Sequence, residues 1–232
     1  MSNSRIKHFT EKPPIIVAID TEPIVGINRF LTQLKEYVSG VKIGIPYILS
    51  MGIDKISEII SIFRDSYFFI GDLKIADIGY VGSLVLEIAK KIGFDGIIAH
   101  AMIGFKGGME KLKQKADELN IFLFALVAMS HPGAEEIINK SFKLSMRVCE
   151  LAQIKGFVAP ATLPNYISDV RKKFGSDVII ISPGIGAQGA PFGSALKTGA
   201  NYEIIGRKLV LSENPRKTVS DIISSYRKLG VI

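Results

Sequence analysis

The chain has few of the groups that mark extracellular, metal-bound or membrane proteins. A single cysteine, Cys149, stands among 232 residues. No intrachain disulfide can therefore form, and nothing supplies a zinc cluster. His100 and His131 lack metal-ligand spacing with other candidate ligands, so each reads as a hydrogen-bonded loop or core residue. No run approaches the roughly 18 apolar residues a membrane span needs. Residues 1–12 are polar and carry no apolar signal-peptide core. These absences point to a soluble cytoplasmic protein. The formal net charge is +7, yet no block of like charge and no basic run interleaved with aromatics appears. That favours a solvated surface, with a few cations assigned to an anionic ligand, over a nucleic-acid partner.

With 47% apolar and 22% charged residues, a full core is possible. No linker divides the sequence. Short apolar runs at 15–20, 41–44, 68–74, 96–101, 122–128, 157–160, 178–182 and 202–206 alternate with longer amphipathic stretches. Those stretches cover 22–39, 52–64, 79–92, 106–119, 134–154, 164–174, 192–198 and 213–229, with apolar residues three or four apart, as in Leu84, Ile88 and Ile92. Strict alternation predicts a parallel sheet, and eight such units in this length fit a single-domain α/β chain closed as a (β/α)8 TIM barrel. Residues 1–14 form an extension in this reading, with Arg5, Lys7, His8 and Lys12 as a polar cover. The alternative is an open doubly wound sheet. The glycine fingerprint expected after its first strand is missing, since Asp20-Thr21-Glu22-Pro23 stands there.

The polar residues gather at the predicted strand C-termini, where a barrel builds its chemistry. In the stretch 67–77, Asp72 and Lys74 lie two apart on a strand and point the same way. They form either a structural ion pair or a reactive site. Asp77 lies past the strand end and is placed to serve a different surface. Lys42, on an apolar strand, must find a carboxylate or solvent, and Asp72 is the natural partner, although Lys74 competes for it. Either Lys42 is one member of a structural ion pair, or Lys42, Asp72, Lys74 and Asp77 form one alternating chain of charges. Asp20 either binds a sugar hydroxyl or caps a helix starting near Pro23. Ser130 has no adjacent base and reads as a hydrogen-bond donor. The loop after strand seven carries Gly184, Gly186, Gly189 and Gly193, and strand eight ends in Gly206-Arg207. Glycines bring backbone N–H groups close to a ligand, and arginine grips phosphate through two parallel bonds. This is the expected phosphate site.

Several segments together resemble the orotidine 5′-monophosphate decarboxylase family in its short, single-domain prokaryotic form. They are Ala18-Ile19-Asp20, Val41-Lys42-Ile43-Gly44, Asp72-Leu73-Lys74-Ile75-Ala76-Asp77-Ile78, Met129-Ser130-His131-Pro132-Gly133-Ala134, Ser182-Pro183-Gly184-Ile185-Gly186-Ala187-Gln188-Gly189 and Gly206-Arg207. The resemblance implies loss of carbon dioxide from orotidine 5′-monophosphate to give UMP, the last step of pyrimidine synthesis, in a homodimer without metal or organic cofactor. It implies Lys74 as proton donor, Asp72 against the departing carboxylate, and Lys42 and Asp20 on ribose hydroxyls. Asp77 and Ile78 would serve the neighbouring subunit's site, and Ser130 would read the pyrimidine edge. Pro183 belongs to the substrate-binding loop, Gln188 would bridge base and phosphate, and Gly206 and Arg207 would hold the phosphate.

The chain departs from the family's usual pattern in places. Gly79 and Val81 replace a common proline and threonine, Leu163 replaces a common arginine, and Ala190-Pro191 lacks a common aspartate. The last change implies altered loop dynamics. The alternatives are a metal-dependent sugar-phosphate decarboxylase or hexulose-phosphate synthase of the same superfamily, and a non-enzymatic barrel that binds nucleotide or nucleic acid.

Overall fold

A computed structural model of the chain describes residues 9, 11–21 and 23–232. Eight parallel strands close into a barrel in sequence order. They are β1 (Ile15–Ile19), β2 (Gly40–Gly44), β3 (Phe68–Ile75), β4 (Gly96–His100), β5 (Phe122–Leu126), β6 (Gly156–Val158), β7 (Ile179–Ser182) and β8 (Tyr202–Ile205). Closure is made by β8 pairing back to β1, with Ile16 opposite Ile204. The open-sheet alternative is thereby excluded.

Side-chain alternation divides each strand into two environments. Ile15, Val17 and Ile19 face the helices, whereas Ile16 and Ala18 join the cluster inside the barrel. The same parity sends Phe68 and Ile70, Phe124 and Leu126, and Tyr202 and Ile204 inward. At the strand N-termini the barrel floor is closed by Phe9, whose ring stacks 4.6 Å from Phe68 and 4.1 Å from Tyr202 between centroids. The Tyr202 hydroxyl donates to the Phe9 carbonyl at 3.1 Å. The N-terminal extension thus contributes an apolar plug. Of the expected polar cover, Arg5, Lys7 and His8 lie outside the described residues, while Lys12 donates to the Lys35 carbonyl at 2.9 Å.

The helices are shorter and more divided than the amphipathic pattern predicts. The first, α1 (Ile27–Leu34), starts behind Gly26, which has φ 73°; Glu22, where the expected stretch began, lies outside the described residues. Two helices, α2 (Ile45–Met51) and α3 (Ile53–Ile62), break at Gly52. The stretch from 79 becomes α4 (Gly79–Ile92) as expected. A kink at Lys106 and Gly107 delays α5 to Glu110–Glu118. The stretch from 134 becomes a 3-10 turn, Pro132–Glu136, and then α6 (Phe142–Leu151). After α7 (Pro164–Phe174) come α8 (Ser194–Thr198), a short α9 (Arg207–Val210) and α10 (Pro215–Lys228).

Gly79 has a packing reason. A Cβ there would sit 2.4 Å from the Lys111 Cβ and 2.6 Å from the Gly107 carbonyl oxygen, so α4 can start this close to its neighbour only without a side chain.

Candidate active site

The inward parity of the strands, carried past their C-terminal ends, builds the site. On β1 it runs Ile16, Ala18, Asp20; on β2 Gly40, Lys42, Gly44; on β3 Phe68, Ile70, Asp72. Apolar residues fill the lower layers, and charge begins at the mouth. Lys42 is only 4% exposed and Asp72 6%. Such burial requires pairing. The Lys42 Nζ donates to Asp20 Oδ1 and Oδ2 at 2.9 and 2.8 Å and to Asp72 Oδ2 at 2.7 Å. Lys74 Nζ donates to the other Asp72 oxygen, Oδ1, at 2.8 Å. The lysines therefore do not compete, because each takes its own oxygen of Asp72.

Burial alone would lower the Lys42 pKa, but Asp72 and Asp20 overcome it and raise it above the usual lysine value. Burial alone would raise Asp72, but Lys42 and Lys74 overcome it and hold it below the usual carboxylate range. Each buried charge thus keeps its neighbour charged.

Two backbone features support this array. Lys74 has φ 44°, a left-handed conformation that costs an ordinary residue roughly 1–2 kcal/mol. It coincides with a register shift between β3 and β4 from Gly71 to Ile75. The irregular step turns Lys74 back onto Asp72. Gly44 makes room for Asp20: a Cβ on it would stand 2.0 Å from Asp20 Oδ1. Asp20 is therefore not a helix cap. It is committed to Lys42, and α1 begins far beyond it, at Ile27.

The array lines a cavity of about 400 Å³ together with Ser130, Pro183, Gln188, Gly206 and Arg207. Its floor is apolar, formed by Ala18, Ile98, Leu126, Val158 and Ile204. The loop after β7 folds over one side. Ser130 Oγ donates to Gln188 Oε1 at 3.2 Å, and an Arg207 N–H reaches the Ala187 carbonyl at 3.5 Å. Inside the loop, Ala190 is buried; it receives the Gly186 N–H at 2.8 Å and donates to the Gly184 carbonyl at 3.2 Å. Ser130 itself is steadied from behind. The Asn139 side chain accepts from the Met129 N–H and donates to the Met129 carbonyl, both at 3.0 Å.

Two expectations need correction or division. Within one chain Asp77 stands apart from the charge array, whose fourth member there is Asp20. Asp77 is exposed and accepts from the Ile78 N–H at 2.7 Å, outside the cavity. Ile78 is 65% exposed beside it. His100 points inward at the end of β4, but its buried Nδ1 has no hydrogen-bond partner among the described residues. Burial first, and Lys74 second, lower its pKa. The role of Gly44, and Asn139 altogether, were missed by sequence reasoning. The parity of β2 offered the first, since an inward glycine beside an inward lysine leaves space.

The model of the orotidine 5′-phosphate decarboxylase / HUMPS family matches residues 13–222. The chain belongs to that family. Among its relatives, the orotidine 5′-phosphate decarboxylase of Sulfurisphaera tokodaii is 39% identical over 84% of this chain and 88% of its own. That of Aeropyrum pernix is 36% identical over 87% of this chain and 83% of its own. Among solved structures, the family member from Sulfolobus solfataricus superposes with a TM-score of 0.85 at 31% identity, covering 94% of this chain and 99% of that one. The Methanocaldococcus jannaschii enzyme complexed with the inhibitor BMP gives a TM-score of 0.81 at 28% identity, covering 91% and 97%.

Proposed function

We propose that this chain decarboxylates orotidine 5′-monophosphate to UMP, the last step of de novo pyrimidine synthesis, with its own side chains and no metal or organic cofactor. The observation that carries the reading is the Asp20–Lys42–Asp72–Lys74 array at the mouth of a cavity whose far side holds Gln188, Gly206 and Arg207. Both oxygens of Asp20 and both of Asp72 accept from ammonium groups. A divalent ion would have to displace a lysine, so the array suits cationic rather than metal-assisted catalysis.

In this reading Arg207 and the Gly206 N–H take the phosphate, and Gln188 joins phosphate to base. Pro183 contacts substrate at the root of the loop, Ser130 meets the pyrimidine edge, and Asp20 and Lys42 hold ribose hydroxyls. The bond between the ring carbon and its carboxylate breaks, and carbon dioxide leaves. The electron pair stays on the ring carbon, which has no conjugated sink. Lys74 Nζ delivers its proton there and regains one from water. Asp72 fixes Lys74 in place and opposes the carboxylate that must depart. An ammonium held where negative charge develops stabilises the transition state more than the ground state. Two unit charges about 4 Å apart interact by about 4 kcal/mol at an effective dielectric of 20. That corresponds to roughly a thousandfold in rate, before desolvation is subtracted. Phosphate binding adds to it by closing the loop and excluding water.

The same reading makes the chain a cytoplasmic homodimer of single-barrel subunits, each with residues 1–14 as an extension. Asp77 and Ile78, exposed beside the mouth, would reach the neighbouring site. Mixed dimers test this: Asp77→Ala in one subunit should impair the other subunit's site, and independent sites would refute the arrangement. The main reading is tested by the ultraviolet change when orotidine 5′-monophosphate is mixed with the chain in chelator. Conversion to UMP is expected. An unchanged spectrum, or turnover that stops with chelator, would count against it.

A further inference from the structure

Glu203 is a buried acid that the chemistry above does not use. It lies on β8, three residues before Gly206, with opposite parity, so it faces the helix layer rather than the cavity. It is fully buried, and a carboxylate there needs several donors. Oε2 accepts from the Gly193 N–H at 2.9 Å and from the Tyr226 hydroxyl at 2.6 Å. Oε1 accepts from the Ala195 N–H at 3.0 Å. Burial pushes the carboxyl up, and these donors oppose the rise.

The placement of those donors is informative. Gly193 is the downstream root of the loop that carries Gln188. It has φ 84°, and a Cβ on it would meet the Leu229 side chain at 2.8 Å. The upstream root leaves β7 at Ser182, which pairs with Glu203 across the sheet. Glu203 also belongs to the strand that delivers Gly206 and Arg207. Both roots of the loop and the arginine's strand therefore converge on this residue, and α10 is tied in through Tyr226.

We infer that Glu203 is a positioning residue for phosphate capture: it sets the loop roots of 182 and 193 against the Gly206–Arg207 strand end, so that Gln188 and Arg207 reach the same phosphate. The inference rests on the function proposed above. It makes a selective demand, because a residue acting through the phosphate grip matters only when the substrate carries a phosphate.

Glu203→Gln is the informative change. An amide offers one acceptor oxygen and one NH₂ group, so one of the two backbone N–H groups, Gly193 or Ala195, must face a donor. The experiment compares kcat/KM for orotidine 5′-monophosphate and for orotidine, which lacks the phosphate, in the unaltered chain and in E203Q. The expected result is a loss of tenfold or more on the nucleotide with less than a twofold change on the nucleoside. Tyr226→Phe, which keeps both backbone bonds, should give a smaller loss, about threefold, again confined to the nucleotide. It serves as the measurement if E203Q does not fold. Equal losses on both substrates, or no loss on the nucleotide, overturn the inference and leave the proposed function standing. An unaltered chain that turns over neither substrate overturns both.

Discussion

The two ends of the barrel are built on opposite terms. At the strand N-termini, Phe9, Phe68 and Tyr202 stack into an apolar floor with one tyrosine hydroxyl satisfied by a carbonyl. At the C-termini the same inward-facing rows end in Asp20, Lys42, Asp72 and Lys74, with a left-handed residue at position 74. The floor gains stability from dispersion and burial, roughly 1.5–3 kcal/mol for a large apolar side chain. The mouth gains little. Buried ion pairs roughly balance their desolvation, and the backbone at Lys74 adds strain. One row of side chains thus changes from stability to chemistry over two or three residues, a division expected of this fold.

Perturbing each end should separate the two. The largest effect on rate is expected for Lys74→Ala. It should lower kcat by about 10³-fold or more and leave the unfolding midpoint unchanged or raised, since Asp72 keeps Lys42. Near-normal turnover would remove the proton-donor assignment. Lys42→Met strips both acids of their shared cation, and breaking a buried pair costs about 3–5 kcal/mol; urea unfolding would measure it, with activity falling as well. Phe9→Ala at the floor should cost about 3 kcal/mol but leave kcat within twofold. A large loss of kcat there would show that the ends are coupled. Gly44→Ala is subtler. Its methyl displaces Asp20 from Lys42, which keeps Asp72; the lost hydrogen bond to a charged group, about 1.5–3 kcal/mol, should show in the urea unfolding midpoint, and kcat/KM should fall about tenfold or more.

The smallest effect is in pH. Asp72 is depressed in the fold, so its stabilising contribution is present above about pH 3.9 and fades as pH falls through the lower folded value. Lys42 is raised, so its contribution is complete below about pH 10.4 and fades as pH climbs through the higher folded value. Unfolding midpoints of the unaltered chain should be flat in this contribution between those limits. Lys42→Met should lose the alkaline limb.

The barrel was legible because each strand is an apolar run and each helix an amphipathic one, repeated eight times. Most of the site was legible because charges such as Lys42 stand out in such runs. Other parts depended on contacts that no local pattern carries. Asp20 offered two uses, and only the distance to Lys42 rules out the cap. Asp77 follows Lys74 closely in sequence, yet the chain has left the strand and turned toward α4 by then. The helix expected from 106 was delayed because Gly107 takes φ 73°. Glu203 sat in plain view within an apolar strand, but its meaning required the partners that face it from 193, 195 and 226.

The floor also constrains how the chain comes together. Phe9 and Tyr202 are bonded across 193 positions of sequence, so the plug cannot seat until the last strand has emerged from the ribosome. Contacts so distant along the chain form slowly, and until this one forms the barrel's interior stands open at its base. Closing the floor should therefore be a late step in biosynthetic folding, with unfinished chains the most exposed to aggregation.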